Sequence, residues 1–445
     1  MGKRNQILQS HPVTRLRLAW NFAQLGLLTF SLVPILGALG IFLALVTTWR
    51  HKYRQIIREP SNWGLAVLAS WLIVTTIFAD DRLAATLGLF NFLPFFLLFA
   101  AFSTLIQTPT QLRQLSQILV ISSIPVIVLG FGQLLLSWTT PAAFSGFLGW
   151  TLVAQGNPPG RMAAVFMYAN ILAGYLVITF ILASGLFLAR IQGTAVPRDY
   201  WLSASTSETF LLMAVIGNFA ALILTNSRNA WAIACLAILA FALYQGWKWL
   251  VAGVSAIASA ILLAAFAPVP LSNLLRTIIP QFFWARLTDQ FYPNRAIPFL
   301  RTTQWQFALS LTHQRPLVGW GLRNFTPLYQ AQMHVWLGHP HNFFLMFAAE
   351  TGVLGIIFLS LWVGWILFRA IRVLHTWHLS NLDPSTPTTQ HKIIFFSYLV
   401  AFFACVLFNT VDVTIFDLRL NTLVWILLAA IYGVAKHTRS SQLVH

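Results

Sequence analysis

Apolar residues along this chain run in blocks of about 20, separated by short polar or basic intervals. Blocks of that length, without the alternation of barrel strands, predict helices that cross a membrane. Helices suit that setting because they satisfy their backbone hydrogen bonds internally. The first block, roughly residues 18–48, is interrupted near Pro34 and Gly37 and reads as a tight hairpin of two spans. Further spans are expected near 62–79, 84–106, 117–137, 162–189, 209–225, 230–247, 249–267, 341–368, 393–411 and 420–436. The expectation is an all-α polytopic membrane protein with about twelve transmembrane helices. Residues 1–267 would hold helices one to nine and 268–340 a long external loop with short helices. Residues 341–445 would hold the last three helices and a cytoplasmic tail.

Composition agrees with that pattern. The chain is 58% hydrophobic and 8% charged, against roughly 25% charged in soluble domains. The net charge of +17 reads as loop charge that orients the chain in the membrane, so no nucleic-acid partner is expected. Arg15 and Arg17 precede the first hairpin and Arg50, Arg54 and Arg58 follow it. Both groups can lie in the cytoplasm only if the hairpin crosses twice. Alternation then puts Arg113, Arg190, Arg198, Lys248, Arg369, Arg372, Lys392, Lys436 and Arg439 on the same side, with both termini cytoplasmic. The first apolar run lacks a small-residue cleavage site and reads as a span, not a leader. Cys235 and Cys405 lie in apolar blocks and read as small core hydrophobes.

Polar groups inside such blocks are costly, so they mark candidate chemistry. Arg228 sits in the short turn TNSRNAW (225–231) between two spans. It is either a snorkelling, topology-setting residue or a guanidinium that grips an anion bidentately. Arg301 opens FLRTTQW within a loop that also carries Arg276, Arg286, Arg295, Arg315 and Arg323, with Asp289 as its acid. The PLVGWG turn (316–321) could bring its backbone close to a phosphate. In GHPHN (338–342), His341 is a candidate general base and Asn342 a natural helix cap. His339 and His341 have no cysteine or carboxylate beside them in sequence, so no metal is expected. Glu350 is expected to face the bundle near Gly352 and Gly355. Arg161 and Asn170 share the segment GRMAAVFMYANILAGYL (160–176), and Asp80 and Asp81 read as a solvated turn.

Taken in order, GRMAAVFMYANILAGYL, TNSRNAW, FLRTTQW with PLVGWG, and HNFFLMFAAETGVLG resemble the O-antigen ligase and polymerase superfamily over roughly residues 160–365. The first two spans and GLFNFLPFF (88–96) look like a cyanobacterial branch once assigned to inorganic-carbon accumulation. The resemblance implies a GT-C-like glycosyltransferase of the inner membrane with a periplasmic active site. Its donor would be a glycan on undecaprenyl diphosphate. The acceptor would be a hydroxyl of a lipid A core sugar, another glycan or a protein, with membrane lipids around it. It also implies His341 as base, Arg228 and Arg301 as diphosphate ligands, and Arg161, Asn170, Asn342 and Glu350 as residues that shape the site. Arg286 or Arg295 could take the place of Arg301. No cofactor or metal is implied. Ligase is favoured over polymerase on overall likeness. A bicarbonate transporter or accessory factor is the alternative, for which Glu350, Asn409 and Asp412 would be path residues.

Overall fold

The computed structural model describes residues 11–192, 207–288, 296–377 and 388–442. The described chain is helical almost throughout, in a polytopic bundle. Helices α1 (Arg17–Phe30) and α2 (Pro34–Ile57) form the expected hairpin, turning at Ser31–Val33, with Pro34 in the first turn of α2. Gly26 and Gly40 let their backbones touch, since a Cβ on Gly26 would come within 2.8 Å of the Ile41 nitrogen. Then come α3 (Pro60–Ile77), α4 (Arg82–Gly88), α5 (Leu93–Leu105), α6 (Pro109–Leu135) and the short α7 (Ala142–Leu148). They are followed by α8 (Ala169–Ile191), α9 (Glu208–Leu224), α10 (Arg228–Tyr244) and α11 (Lys248–Phe266). Four short helices occupy the next stretch: α12 (Leu271–Ile278), α13 (Gln281–Leu287), α14 (Arg301–Gln314) and α15 (Phe325–Met333). Helices α16 (Phe343–Thr376), α17 (Thr388–Phe408) and α18 (Leu418–Gln442) complete the order.

Nine helical stretches among the described residues are long and apolar enough to span a bilayer, α4 and α5 counting as one. Helices α9 and α10 are apolar but only 17 residues each, and α1 has 14. Together these make the twelve apolar segments read from the sequence. Start signals are local. Pro60 and Pro109 sit in first turns, Thr108 and Gln111 form a capping box, and Asp81 caps α4 through the Ala84 N–H. Helices α8 and α18 are enclosed, whereas α11 lies at the margin with 11% of its apolar window buried.

Alternation of the helices defines two ends. One carries the 268–340 stretch and is called the loop face below. At the opposite end Glu59, between α2 and α3, pairs with Lys436 and accepts from the Tyr432 hydroxyl at 2.5 Å.

The span expected near 341–368 is present as α16, with a break inside it. Gly352 breaks α16 with φ 74° and ψ 171°. Only glycine fits there, because a Cβ would collide with the Leu317 carbonyl. The PLVGWG turn supplies the hydrogen bonds that the break removes. Trp320 N–H donates to the Ala349 carbonyl at 3.0 Å, Gly321 N–H donates to the Glu350 carbonyl at 2.8 Å, and Val353 N–H donates to the Pro316 carbonyl at 2.7 Å. Trp71 Nε1 donates to the Thr351 carbonyl at 3.0 Å. The same turn is held to α3 and α4, where Asp80 N–H donates to the Trp320 carbonyl and Asp81 N–H to Asn324 Oδ1. Asp80 and Asp81 are therefore docking points for the loop as well as a surface turn.

Candidate active site at the loop face

The segment before α16 is shaped by the long loop. Trp305 Nε1, on α14, donates to the Pro340 carbonyl at 3.0 Å. His341 adopts φ 51°, a left-handed conformation uncommon outside glycine. Asn342 then caps α16, accepting from Leu345 N–H at 3.0 Å. The cap fixes where the helix begins, and the left-handed residue before it aims the imidazole across the loop face.

There His341 meets a partner not visible in its own motif. Asp412, in the α17–α18 connection, places Oδ1 3.2 Å from His341 Nδ1. Its other oxygen accepts from Asn170 Nδ2 at 2.8 Å, and Asn170 Oδ1 accepts from Arg161 Nη2 at 2.5 Å. Arg161 Nε donates to the Thr225 carbonyl at 2.8 Å, which ties the TNSRNAW turn to the same network. A continuous path of hydrogen bonds thus runs from Arg161 through Asn170 and Asp412 to His341. Asp412 is nearly buried, with 7% of its side chain exposed, whereas His341 retains 26%. The buried acid thus contacts a base that stays partly exposed.

The electrostatics follow from that layering. Burial pushes the Asp412 carboxyl upward. The hydrogen bond and charge of His341, the charge of His339 and the Val413 N–H outweigh it and hold Asp412 below the usual carboxylate range. Burial, reinforced by the neighbouring His341, pushes His339 down to about 4, so it is neutral near pH 7. The His339 and His341 rings stand perpendicular with centroids 4.6 Å apart. Tyr168, just before α8, has its hydroxyl pKa raised by burial and by Asp412, with Arg161 and Arg301 opposing.

Arg301 opens α14 and its charge acts on both His339 and Tyr168, so it belongs to this cluster. Arg228 opens α10, three residues after Thr225, and its neighbour Asn229 donates to the Phe408 carbonyl at 3.2 Å beside the α17–α18 connection. Arg295 and the side chain of Arg286 lie outside the described residues, as does Asp289. Glu350 is 3% exposed and accepts from the Phe325 N–H at 3.4 Å. It anchors the loop to α16 and makes no hydrogen bond to His341. The PLVGWG turn is not a free anion cradle either, since its Trp320 and Gly321 N–H groups already donate to α16.

Two residues escaped the sequence reading as site members. Asp412 had been considered only as a transport-path group, and Tyr168 carried no signal beyond its place in the Asn170 segment. The premise that His339 and His341 lack a carboxylate also fails in three dimensions. His339, His341 and Asp412 offer ligand atoms within 4.8 Å of one another, a set that could hold a divalent cation through two imidazoles and one carboxylate.

Chemically, an imidazole oriented by a buried carboxylate can serve as a proton acceptor. Cations around it favour an anionic substrate or leaving group. Residues 210–360 match the family model described as O-antigen ligase. The match includes Arg228, Arg301, His341, Asn342 and Glu350, while Arg161, Asn170 and Asp412 lie outside it. No curated protein matches the chain significantly. The family match falls on helices and loop that help build this site, and over those residues the chain is similar to the O-antigen ligase family.

Proposed function

We propose that this protein is a glycosyltransferase of the O-antigen ligase type. It moves a glycan from undecaprenyl diphosphate to an acceptor hydroxyl on a lipid A core sugar, another glycan or a protein. The reaction takes place at the periplasmic face of the inner membrane, with both termini cytoplasmic. His341 Nε2 takes the acceptor proton as the acceptor oxygen attacks the anomeric carbon. The bond from that carbon to the diphosphate oxygen breaks, and undecaprenyl diphosphate leaves with the electron pair. Asp412 orients His341 and stabilises the imidazolium that forms. Arg228 and Arg301 bind the diphosphate and offset its growing charge. Arg161 and Asn170 hold Asp412 from behind, while Asn342 and Glu350 fix the helix and loop on which the base stands.

The observation that carries this reading is the 3.2 Å contact between the partly exposed His341 and the buried Asp412 within a basic surrounding. The three groups considered for a transport path also favour it. Asp412 serves the His341 network, Glu350 anchors the loop, and Asn409 bonds to Thr414 within its own turn. All three bond within the loop and the α17–α18 connection that build this site.

The test is the surface-glycan profile of cells whose only copy carries His341→Ala, run beside the extracted lipid-linked pool. Loss of acceptor-linked glycan with polymer retained on the lipid identifies a ligase. Single repeats on the acceptor identify a polymerase instead. An unchanged profile with the variant present in the membrane overturns the transferase reading and makes bicarbonate uptake the next assay.

A further inference from the structure

His339, His341 and Asp412 meet from two separate pieces of chain, the segment before α16 and the α17–α18 connection. Asp412 Oδ1 lies 3.2 Å from His341 Nδ1 and 4.0 Å from His339 Nε2. Tetrahedral nitrogen and oxygen ligands, each about 2.0–2.2 Å from a zinc ion, stand roughly 3.3–3.6 Å apart. The first spacing is already close to that value, and the second needs only a small swing of the His339 ring. The backbone between the rings is held in place, because the Pro340 carbonyl accepts from Trp305 Nε1 at 3.0 Å. The His339 ring lies nearly parallel to Phe416, at 18° with centroids 6.1 Å apart. Both imidazoles are partly exposed, so water can supply a fourth ligand. Two imidazoles and one carboxylate suit zinc and its transition-series neighbours, not magnesium or calcium, which take oxygen.

Which nitrogen the ion takes decides its effect. In the transferase reading the His341 ring proton sits on Nδ1, beside Asp412, and the free electron pair is on Nε2. An ion seated between His341 and Asp412 takes the Nδ1 pair instead. The ring proton then moves through solvent to Nε2, and the atom that should accept a proton becomes a donor. The ion also occupies the Asp412 charge that would steady an imidazolium. We propose that His339, His341 and Asp412 form a reversible inhibitory site for zinc and similar transition-metal ions, which holds the base in its unreactive tautomer. The proposal rests on the transferase reading. Two features make the ion a visitor and not a resident. His339 Nδ1 accepts from the His341 N–H at 3.2 Å, a bond lost when metal takes Nε2 and the ring proton moves to Nδ1. The charge of Arg301 also reaches His339 and opposes a dication.

The experiment uses the full-length protein in nanodiscs of phosphatidylethanolamine and phosphatidylglycerol, first stripped of metal with EDTA. Zinc chloride alone is titrated, with glycan transfer and unfolding temperature read on the same preparation and magnesium chloride as the control. Zinc is expected to lower kcat at least tenfold at saturation, reversibly on adding EDTA. It should also raise the unfolding temperature, because it binds only where the folded chain joins the two segments. Magnesium should do neither. In His339→Asn the zinc concentration that halves the remaining transfer should rise at least tenfold, and the thermal shift should vanish there and in Asp412→Asn. Equal zinc sensitivity in His339→Asn and the unaltered protein, stabilisation without inhibition, or activation by zinc overturns the inference. The thermal shift is read without substrate, so the two readings fail separately. A zinc shift that needs these residues, in a protein that transfers no glycan, would sink the transferase reading and leave the metal site standing. Normal transfer with no response to zinc removes the metal site alone.

Discussion

Asp412 stands behind His341 with Oδ1 3.2 Å from Nδ1, although 71 positions separate them in the chain. That contact determines which imidazole nitrogen can act. With Nδ1 facing the carboxylate, the proton sits between them and Nε2 is the basic atom presented outward. Asp412→Asn keeps the shape, but its amide can orient the ring the other way. The expected result is a loss of roughly 10²-fold or more in turnover, within the range assigned to general-base catalysis, with membrane level and unfolding temperature little changed. Steady-state transfer with purified protein checks it, and turnover near the wild-type value would remove Asp412 as the orienting group.

Arg228→Lys and Arg301→Lys keep the charge but not the planar fork that fits a diphosphate. Each is expected to lower kcat/KM for the lipid-linked donor about tenfold or more while leaving the acceptor KM alone. A variant that turns over normally would mark its arginine as a topological anchor.

The pH response of the fold can be assigned to His339. Its folded pKa lies at about 4, below the usual 6.5, so the unfolded chain takes up the proton first. Acidification from about pH 6.5 to pH 4 therefore weakens the folded state, and further acid has little additional effect through this group. His339→Asn should flatten that part of the stability curve. Asp412 acts in the same sense but at lower pH. Held below its ordinary value, it contributes stability that is present above pH 4 and lost as acid protonates it. Thermal unfolding in detergent across pH 3–8 separates the two windows.

Chelation tests the site in another way. His339, His341 and Asp412 have the spacing of a three-ligand metal site, yet the proposed chemistry asks the imidazole of His341 to accept a proton. Transfer by purified protein is expected to survive EDTA unchanged. Inactivation by EDTA with recovery on adding zinc would reassign the three residues as ligands.

Gly352→Ala places a Cβ against the Leu317 carbonyl at a φ of 74°. It should destabilise the protein by at least about 1–3 kcal/mol and reduce transfer as the loop loosens. Gly364→Ala, with open space around it, should be nearly silent in the same unfolding assay and serves as its control.

The twelve apolar segments were legible in the sequence because burial in lipid demands long uninterrupted blocks. The hairpin turn was marked by Pro34. His341 and Asn342 stood out because polar groups at the start of such a block need a reason. The break in α16 was hidden, since a glycine in an apolar run is ordinary in membrane helices and the loop that completes it lies some 30 residues earlier. Asp412 was hidden for a related reason. One acid in a short connection carries no motif, and its value comes from meeting Asn170 and His341, which arrive from two other parts of the chain.

The break at Gly352 also governs how this protein must be assembled. A membrane helix normally closes its own backbone bonds as it inserts, independent of the rest of the chain. Helix α16 cannot, because bonding partners at its interruption come from Pro316, Trp320 and Gly321. Its upper turns can settle only after the preceding loop has docked on α3 and α4. Completion of the site is therefore a late event in folding, and a nascent chain halted before that docking would hold its apolar helices with the site unfinished.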